Sequence, residues 1–154
     1  MTRRFALLLV LLACSACTDP AHSAAETSTA NCPGAAPAIS VMDRFMAAFN
    51  AKDIKALEGT FHFPHLRLAS YPIQVLTGPG QQDDIFGQLA AEGWAKSGWE
   101  KRNVIQCSDT KAHIAATFAR FHADGSEYSH YDGLYVVELR DGFWGITARS
   151  TFAP

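Results

Sequence analysis

Apolar side chains recur every three or four residues in the stretch that precedes residue 50. The positions with this spacing are Ile39, Met42, Phe45, Met46 and Phe49. This spacing places them on one side of a helix, where they pack against a core. The polar run Asn50–Asp53 ends the helix, and Asp53 is expected to cap a short second helix.

The next part of the chain carries shorter patterns. Pro64 is incompatible with a continued helix, and the segments His65–Ser70 and Tyr71–Thr77 are predicted to form two strands. The turn Gly78-Pro79-Gly80 then leads into a third predicted helix, which has acidic residues in its first turn and Lys96 near its end.

From residue 99 onward, apolar and polar positions alternate in runs rich in aromatic and β-branched residues, which predicts strands. The predicted strands are Trp99–Ser108, Lys111–Ala123, Glu127–Arg140 and Phe143–Phe152. Asp124-Gly125 and Asp141-Gly142 predict tight hairpin turns, and Asp132-Gly133 predicts a bulge inside the third of these strands. An antiparallel meander must bury one face, and the helices are available to cover it, so the pattern predicts an α+β fold.

The first thirteen residues have the features of a signal peptide. Arg3 and Arg4 precede the apolar run Phe5–Ala13, which is too short to span a bilayer. The motif Leu11-Leu12-Ala13-Cys14 resembles the lipobox of bacterial lipoproteins, in which the cysteine is lipidated. We therefore expect a signal peptide over 1–13, a lipid-anchored flexible linker over 14–37 and one domain over 38–154.

Alternatives to lipidation of Cys14 remain open. Cys17 follows a second cleavage site and is the other candidate for lipidation, whereas cleavage after Ala16 without lipidation would secrete the chain. In the favoured interpretation a lipid anchor holds the chain to the membrane of the bacterial envelope, at the outer membrane and facing the periplasm. That compartment permits a disulfide, for which Cys32 and Cys107 are the candidates.

Composition and spacing narrow the classes of function. The chain has a formal charge of −2 and no run of lysines or arginines, so no nucleic-acid partner is expected. His62 and His65 flank a proline without a neighbouring carboxylate, which is a poor set of metal ligands. No phosphate-binding glycine loop is present, and we expect neither a metal nor a cofactor.

Three segments resemble the nuclear transport factor 2-like superfamily, which includes ketosteroid isomerase, scytalone dehydratase and SnoaL-like polyketide cyclases. They are the first helix and its break at Phe45–Asp53, Phe61 at the entry to the first strand, and the closing strand Asp141–Ile146. The resemblance implies a curved antiparallel or mixed sheet wrapped around three N-terminal helices, which forms a cone with an apolar pocket. It also implies a homodimer, since dimers are frequent in this superfamily.

Proton-transfer enzymes of this superfamily use a carboxylate or histidine that projects from the first strand. Residues 59–82 contain no Asp or Glu, so His65, with Arg67 beside it, is the candidate base in that place. Strand alternation puts His65 and Arg67 on one face and Leu66 and Leu68 on the other. The favoured interpretation turns the two leucines inward and leaves His65 and Arg67 on the outer face.

Aromatic residues at alternate strand positions and on the helices are the candidates to line the pocket. These residues are Phe45, Phe49, Trp94, Phe118, Tyr135 and Trp144. Tyr131 is a further candidate, because its hydroxyl could bind an oxygen of a ligand. Arg149 and Glu138 are interpreted as a cross-strand ion pair.

The sequence leaves two candidate functions for the domain. The favoured one is a non-catalytic envelope domain that binds a small apolar ligand or a protein partner. The alternative is an isomerase- or dehydratase-like enzyme that uses His65, Arg67 and Tyr131 for acid–base chemistry.

Overall fold

The computed structural model of the chain describes residues 31–69, 72–82 and 84–153. The predicted signal peptide and both candidate lipidation sites, Cys14 and Cys17, lie outside these residues. Within the described ranges, no helix combines the length and the apolar character that are needed to cross a membrane.

Among the described residues, two helices precede the first strand and a third lies between the second and third strands, as the patterns predict. Helix α1 spans Ala35–Asn50 and buries the apolar stripe, from Val41 and Met42 to Phe49. It begins inside the predicted linker. Helix α2 spans Ile54–Glu58, and the Asp53 side chain accepts a hydrogen bond from Ala56 N at 2.9 Å, so the predicted cap is confirmed.

Helix α3 spans Ile85–Ala91 and is shorter than predicted. The chain leaves the helix at Gly93, which adopts a φ of +77° that favours glycine. Trp94 N bonds back to Leu89 O at 3.0 Å, so Trp94 closes the end of the helix instead of extending it. Lys96, expected near the helix end, is the first residue of a strand.

Six strands form one sheet in the described part of the chain. They are β1 Phe61–Leu68, β2 Gln74–Leu76, β3 Lys96–Cys107, β4 Lys111–Phe121, β5 Glu127–Arg140 and β6 Phe143–Thr151. The order in the sheet is β2-β1-β6-β5-β4-β3; β1 pairs parallel with β6, and the other neighbours are antiparallel. Helix α1 packs across the inner face of this curved sheet, which confirms the predicted α+β fold.

The bulge predicted at Asp132-Gly133 is wrong. The pairing of β5 with β4 runs through this point without a shift, from Thr117↔Asp132 to Ala116↔Gly133. Gly133 is needed for another reason: a Cβ at this position would lie 2.9 Å from Thr151 Cγ2 and 3.0 Å from Ser150 O. The glycine therefore allows β6 to approach β5 closely.

A disulfide joins Cys32 to Cys107, with their Cα atoms 6.1 Å apart. It ties the segment before α1 to the end of β3. The neighbouring Gly34 is buried against this end of the sheet. A Cβ at this position would clash with Ser108 O and the Trp144 ring. The N-terminal end of α1 is therefore held by a covalent bond and by close packing.

Candidate functional site

A small cavity lies between α1 and the inner face of the sheet. Its lining comes from α1, the start of α3, four strands and the second residue after β6: Phe45, Met46, Phe49, Arg67, Ile85, Ser97, Phe118, Arg120, Arg149, Thr151 and Ala153. The cavity has a volume of about 40 Å³. An adjoining chamber of about 30 Å³ shares Arg67, Ile85 and Arg149 and adds Gln74, Gln82 and Gln88.

The two volumes set the size of a ligand. A single water needs roughly 10–15 Å³ of such space, whereas drug-sized ligands occupy pockets of roughly 300 Å³ or more. The cavity therefore accepts a molecule of a few heavy atoms. A wider cleft of about 470 Å³ between α1 and α2 is lined by exposed residues such as Ala47 and Ala51. Buried charge is concentrated at the small cavity, which makes it the candidate site.

Arg149 is the central feature of the cavity. Its side chain is buried, and its Nε and Nη2 have no hydrogen-bond partner among the described residues. The guanidinium carbon lies 5.4 Å from the centre of the Phe45 ring and 5.5 Å from that of Phe61. Burial, together with the charge of Arg67, lowers the pKa of Arg149 to about 10, but the group stays protonated at neutral pH.

Two other arginines border the same space. Arg120 is buried, and its Nη1 donates to Glu92 Oε2 at 3.2 Å, while its guanidinium carbon lies 5.0 Å from the Tyr131 ring. Arg67 is half-buried and donates from Nη1 to Gln74 Oε1 at 3.1 Å. The cavity thus has cationic groups on β1, β4 and β6 and aromatic walls on α1 and β4, which suits an anion with an apolar body.

A bulge in β6 brings Arg149 to this face. Val137 pairs with Ile146 and Val136 pairs with Ala148, so Thr147 is an extra residue in β6. Ile146 and Arg149, three residues apart, consequently both point inward and are both buried. Strict alternation would place residues three apart on opposite faces.

The predicted ion pair between Arg149 and Glu138 is wrong. The bulge turns Arg149 inward, and Glu138 instead contacts Lys111 Nζ at 2.9 Å, Thr147 Oγ1 at 2.7 Å and the Arg140 guanidinium. These hydrogen bonds outweigh the effect of burial and lower the pKa of Glu138 to about 2. Glu138 therefore offers no counter-charge to the cavity.

The expected orientation of β1 is wrong as well. His65 is fully buried, whereas Leu66 and Leu68 are 37% and 39% exposed on the outer face. The reason lies upstream, because Phe61 packs in the core on the same side of the strand as His65. The pairing of β1 with β6 is irregular between Phe61 and Leu66, but the His65 ring stacks on the buried Phe61 ring, and Arg67 lies on the side of His65 by alternation.

His65 is neutral and does not line the cavity. Its Nδ1–H donates to Ile146 O at 2.9 Å, and its ring stacks on Phe61 with the ring centres 3.9 Å apart. Burial, followed by the charge of Arg149, lowers the pKa of His65 to about 3. A group with this pKa is a poor general base at neutral pH.

The sequence of this domain matches a known protein family. A family described as "NTF2-like protein (DUF6841)" matches residues 37–152, which is most of the chain. The chain belongs to this family. None of the curated proteins compared is significantly similar to the NTF2-like domain.

Solved structures share its fold. A protein of unknown function with a cystatin-like fold from Nostoc punctiforme is 11% identical, covers 75% of this chain and 87% of its own, and has a TM-score of 0.60. A candidate calcium/calmodulin-dependent protein kinase II association domain from Xanthomonas campestris is 20% identical over 82% and 94%, with a TM-score of 0.60. A candidate ketosteroid isomerase from Shewanella frigidimarina is 12% identical over 79% and 99%, with a TM-score of 0.58. At these identities the likeness establishes the fold alone.

Of the residues predicted to line a pocket in this NTF2-like domain, some border the cavity and others lie in the core. Phe45, Phe49 and Phe118 border the cavity. Trp94 and Tyr135 are buried in the core, and Trp144 packs against its edge. Tyr131 is half-buried with its ring 5.7 Å from that of Phe118, and it is not among the cavity-lining residues.

Two buried arginines of the site, Arg120 and Arg149, were not among the predicted site residues. The signal was present, since each is a lone cation within an aromatic or β-branched strand, where it must find a partner or a ligand. His62 Nε2 donates to the backbone carbonyl of Glu138 at 2.9 Å and so uses one ring nitrogen in the fold. Away from the cavity, the exposed Glu100, Glu127 and His130 place their ligand atoms within 4.8 Å of one another, a spacing that a cation could fit.

Proposed function

We propose that this chain is a membrane-anchored NTF2-like domain that binds a small molecule in the arginine-lined cavity and does not convert it. The observation that carries the proposal is the combination of a buried, partly unpaired guanidinium with a cavity whose described lining residues include no Asp, Glu or His. Cations and aromatic rings bind and orient a ligand, but acid–base turnover needs a group that exchanges protons near the working pH.

The enzyme alternative would use His65, Arg67 and Tyr131. No observation on the cavity favours it, because His65 is closed off behind Phe61 with a pKa of about 3, and Tyr131 does not line the space. The ketosteroid isomerase activity in the name of the Shewanella frigidimarina protein concerns that protein. A protein partner and the homodimer implied by the resemblance stay predictions.

Filling the cavity is expected to abolish ligand binding. Thr151 lines the cavity, so Thr151→Phe fills the space with a ring. Ser150, the preceding residue, is exposed, so Ser150→Phe adds the same ring outside the cavity. A library of small polar fragments is screened by thermal shift and ¹⁵N NMR. Fragments should stabilise the wild type and Ser150→Phe, but not Thr151→Phe, and should remain chemically unchanged over days. Turnover of a bound fragment that is lost in His65→Gln would contradict the proposal and support the enzyme.

The anchor has its own test. Replacing both Cys14 and Cys17 by Ala is expected to move the protein from the membrane fraction to the soluble fraction, because stable attachment requires acyl chains. Each single substitution serves as a control, since it identifies the lipidated cysteine. Retention of the doubly substituted chain in the membrane fraction would show that another part of the chain holds it there.

A further inference from the structure

We infer that the ligand of this cavity is a small monocarboxylate, and that Arg149 is the residue that recognises its charge. The inference rests on the proposed binding function and names the chemical class that the site takes. It starts from an imbalance: a guanidinium that is buried and protonated, with two of its three nitrogens lacking a hydrogen-bond partner among the described residues.

A buried charge without a partner is one of the costliest features a fold can hold. No described carboxylate lies within ion-pair distance of Arg149, whereas buried Arg120 has Glu92 at 3.2 Å. The aromatic faces of Phe45 and Phe61 stabilise the cation only in part. A bound anion would supply the missing charge, which gives the cavity a ligand of defined sign.

The shape of the site favours a carboxylate over other anions. The guanidinium is planar and matches the two oxygens of a carboxylate, and Arg149 lines both the cavity and the adjoining chamber. Phe45, Phe49 and Phe118 form apolar walls that suit the alkyl part of a short acid. Phosphate and sulfate have polar oxygens on every side and would leave some of them against these walls.

Volume sets the upper limit. Room of about 40 Å³ accepts a chain of two or three carbons beside the carboxylate, as in propionate. The adjoining chamber of about 30 Å³ is lined by Gln74, Gln82 and Gln88, whose amides could bind a hydroxyl or carbonyl further along the molecule. Short 2- or 3-substituted acids are therefore the compounds that fill both spaces.

Propionate and its neutral isostere propionamide test the charge directly, at matched ionic strength on the full-length protein. Thermal shift and calorimetry should show saturable binding of propionate that is at least about tenfold tighter than that of propionamide or phosphate. Arg149→Met should remove this preference while raising the melting temperature of the unliganded protein, because an unpaired buried charge is lost. Arg102→Met, which removes an arginine that pairs with Asp43 on the surface, should leave the preference intact.

A second readout does not depend on the Met variant folding. In ¹⁵N NMR of the wild type, the Arg149 Nε–H signal and the amides of Phe118 and Thr151 should shift with propionate and stay in place with propionamide. Arg149→Lys keeps the charge but loses the planar fork, and it should bind propionate more weakly. Equal binding of amide and acid, a preference for phosphate, or full binding by Arg149→Met would each overturn the carboxylate while leaving the small-molecule site standing. Failure of every fragment to bind in the cavity would instead remove the proposed function.

Discussion

Acidification from about pH 7 to about pH 4 is expected to lower the free energy of unfolding by about 3 kcal/mol through His65 alone. The pKa of this histidine falls from 6.5 in the unfolded chain to about 3 in the fold, mainly because the ring is buried. Between these two values the unfolded state binds more protons than the native state. The contribution of His65 to the free energy of unfolding is therefore fully present above pH 6.5 and is lost as the pH falls from 6.5 towards 3.

The comparison variant is His65→Gln, whose amide can still donate to Ile146 O but takes up no proton in this range. Urea unfolding at several pH values should give a wild-type curve that loses about 3 kcal/mol more than the variant over this interval. His113→Gln, on the outer face of β4, is the matched control and should follow the wild type. Parallel curves for wild type and His65→Gln would mean that the histidine is protonated as easily in the fold as in the unfolded chain.

The orientation of His65 shows where alternation stops being informative. Alternation correctly put His65 and Arg67 on one face, but it does not state which face points inward. The predicted strand began at His65, where two leucines compete with a histidine and an arginine. The observed strand begins at Phe61, and this phenylalanine, at the parity of His65, is the larger apolar group. Extending the pattern upstream past Pro64 would have reversed the interpretation.

Arg149 was missed for a different reason. A bulge at Thr147 adds one residue to β6, and bulges depend on the pairing with the neighbouring strand, which a single sequence does not encode locally. The turns were predictable because Asp124-Gly125 and Asp141-Gly142 have backbone preferences of their own. Local chemistry thus determined the elements and the fold class, whereas the site depends on register.

The class of ligand, like the site, depends on how the side chains pack and not on the local sequence pattern. Aromatic residues on the strands predicted an apolar pocket, yet most of the interior between α1 and the sheet is filled by side chains, and the remaining space is about 40 Å³. The rings of Phe45, Trp99 and Tyr135 pack with centres 5.5 to 6.2 Å apart and account for much of this filling. What the packing leaves open is the arginine-bordered end, which supports the proposed anionic ligand over an apolar one.

Reduction of the disulfide between Cys32 and Cys107 is expected to lower the free energy of unfolding by about 4 kcal/mol, the second large effect. The two cysteines are 75 residues apart in sequence, so the bond restricts the unfolded chain over a long loop. It also fixes the start of α1, the helix that covers the sheet. The reduced protein should therefore unfold at lower urea concentration and exchange the first amides of α1 faster.

This measurement is cleanest in a chain with Cys14→Ala and Cys17→Ala, because the sequence has four cysteines and the remaining two are the bonded pair. Reductant should destabilise this protein and have no effect after a further Cys32→Ser and Cys107→Ser. If reductant changes the stability by less than about 1 kcal/mol, the packing of Gly34 against Ser108 and Trp144 holds α1 without the covalent bond. A large loss would instead tie the stability of the cavity wall, which α1 forms, to an oxidising compartment and thereby support the proposed export of the chain.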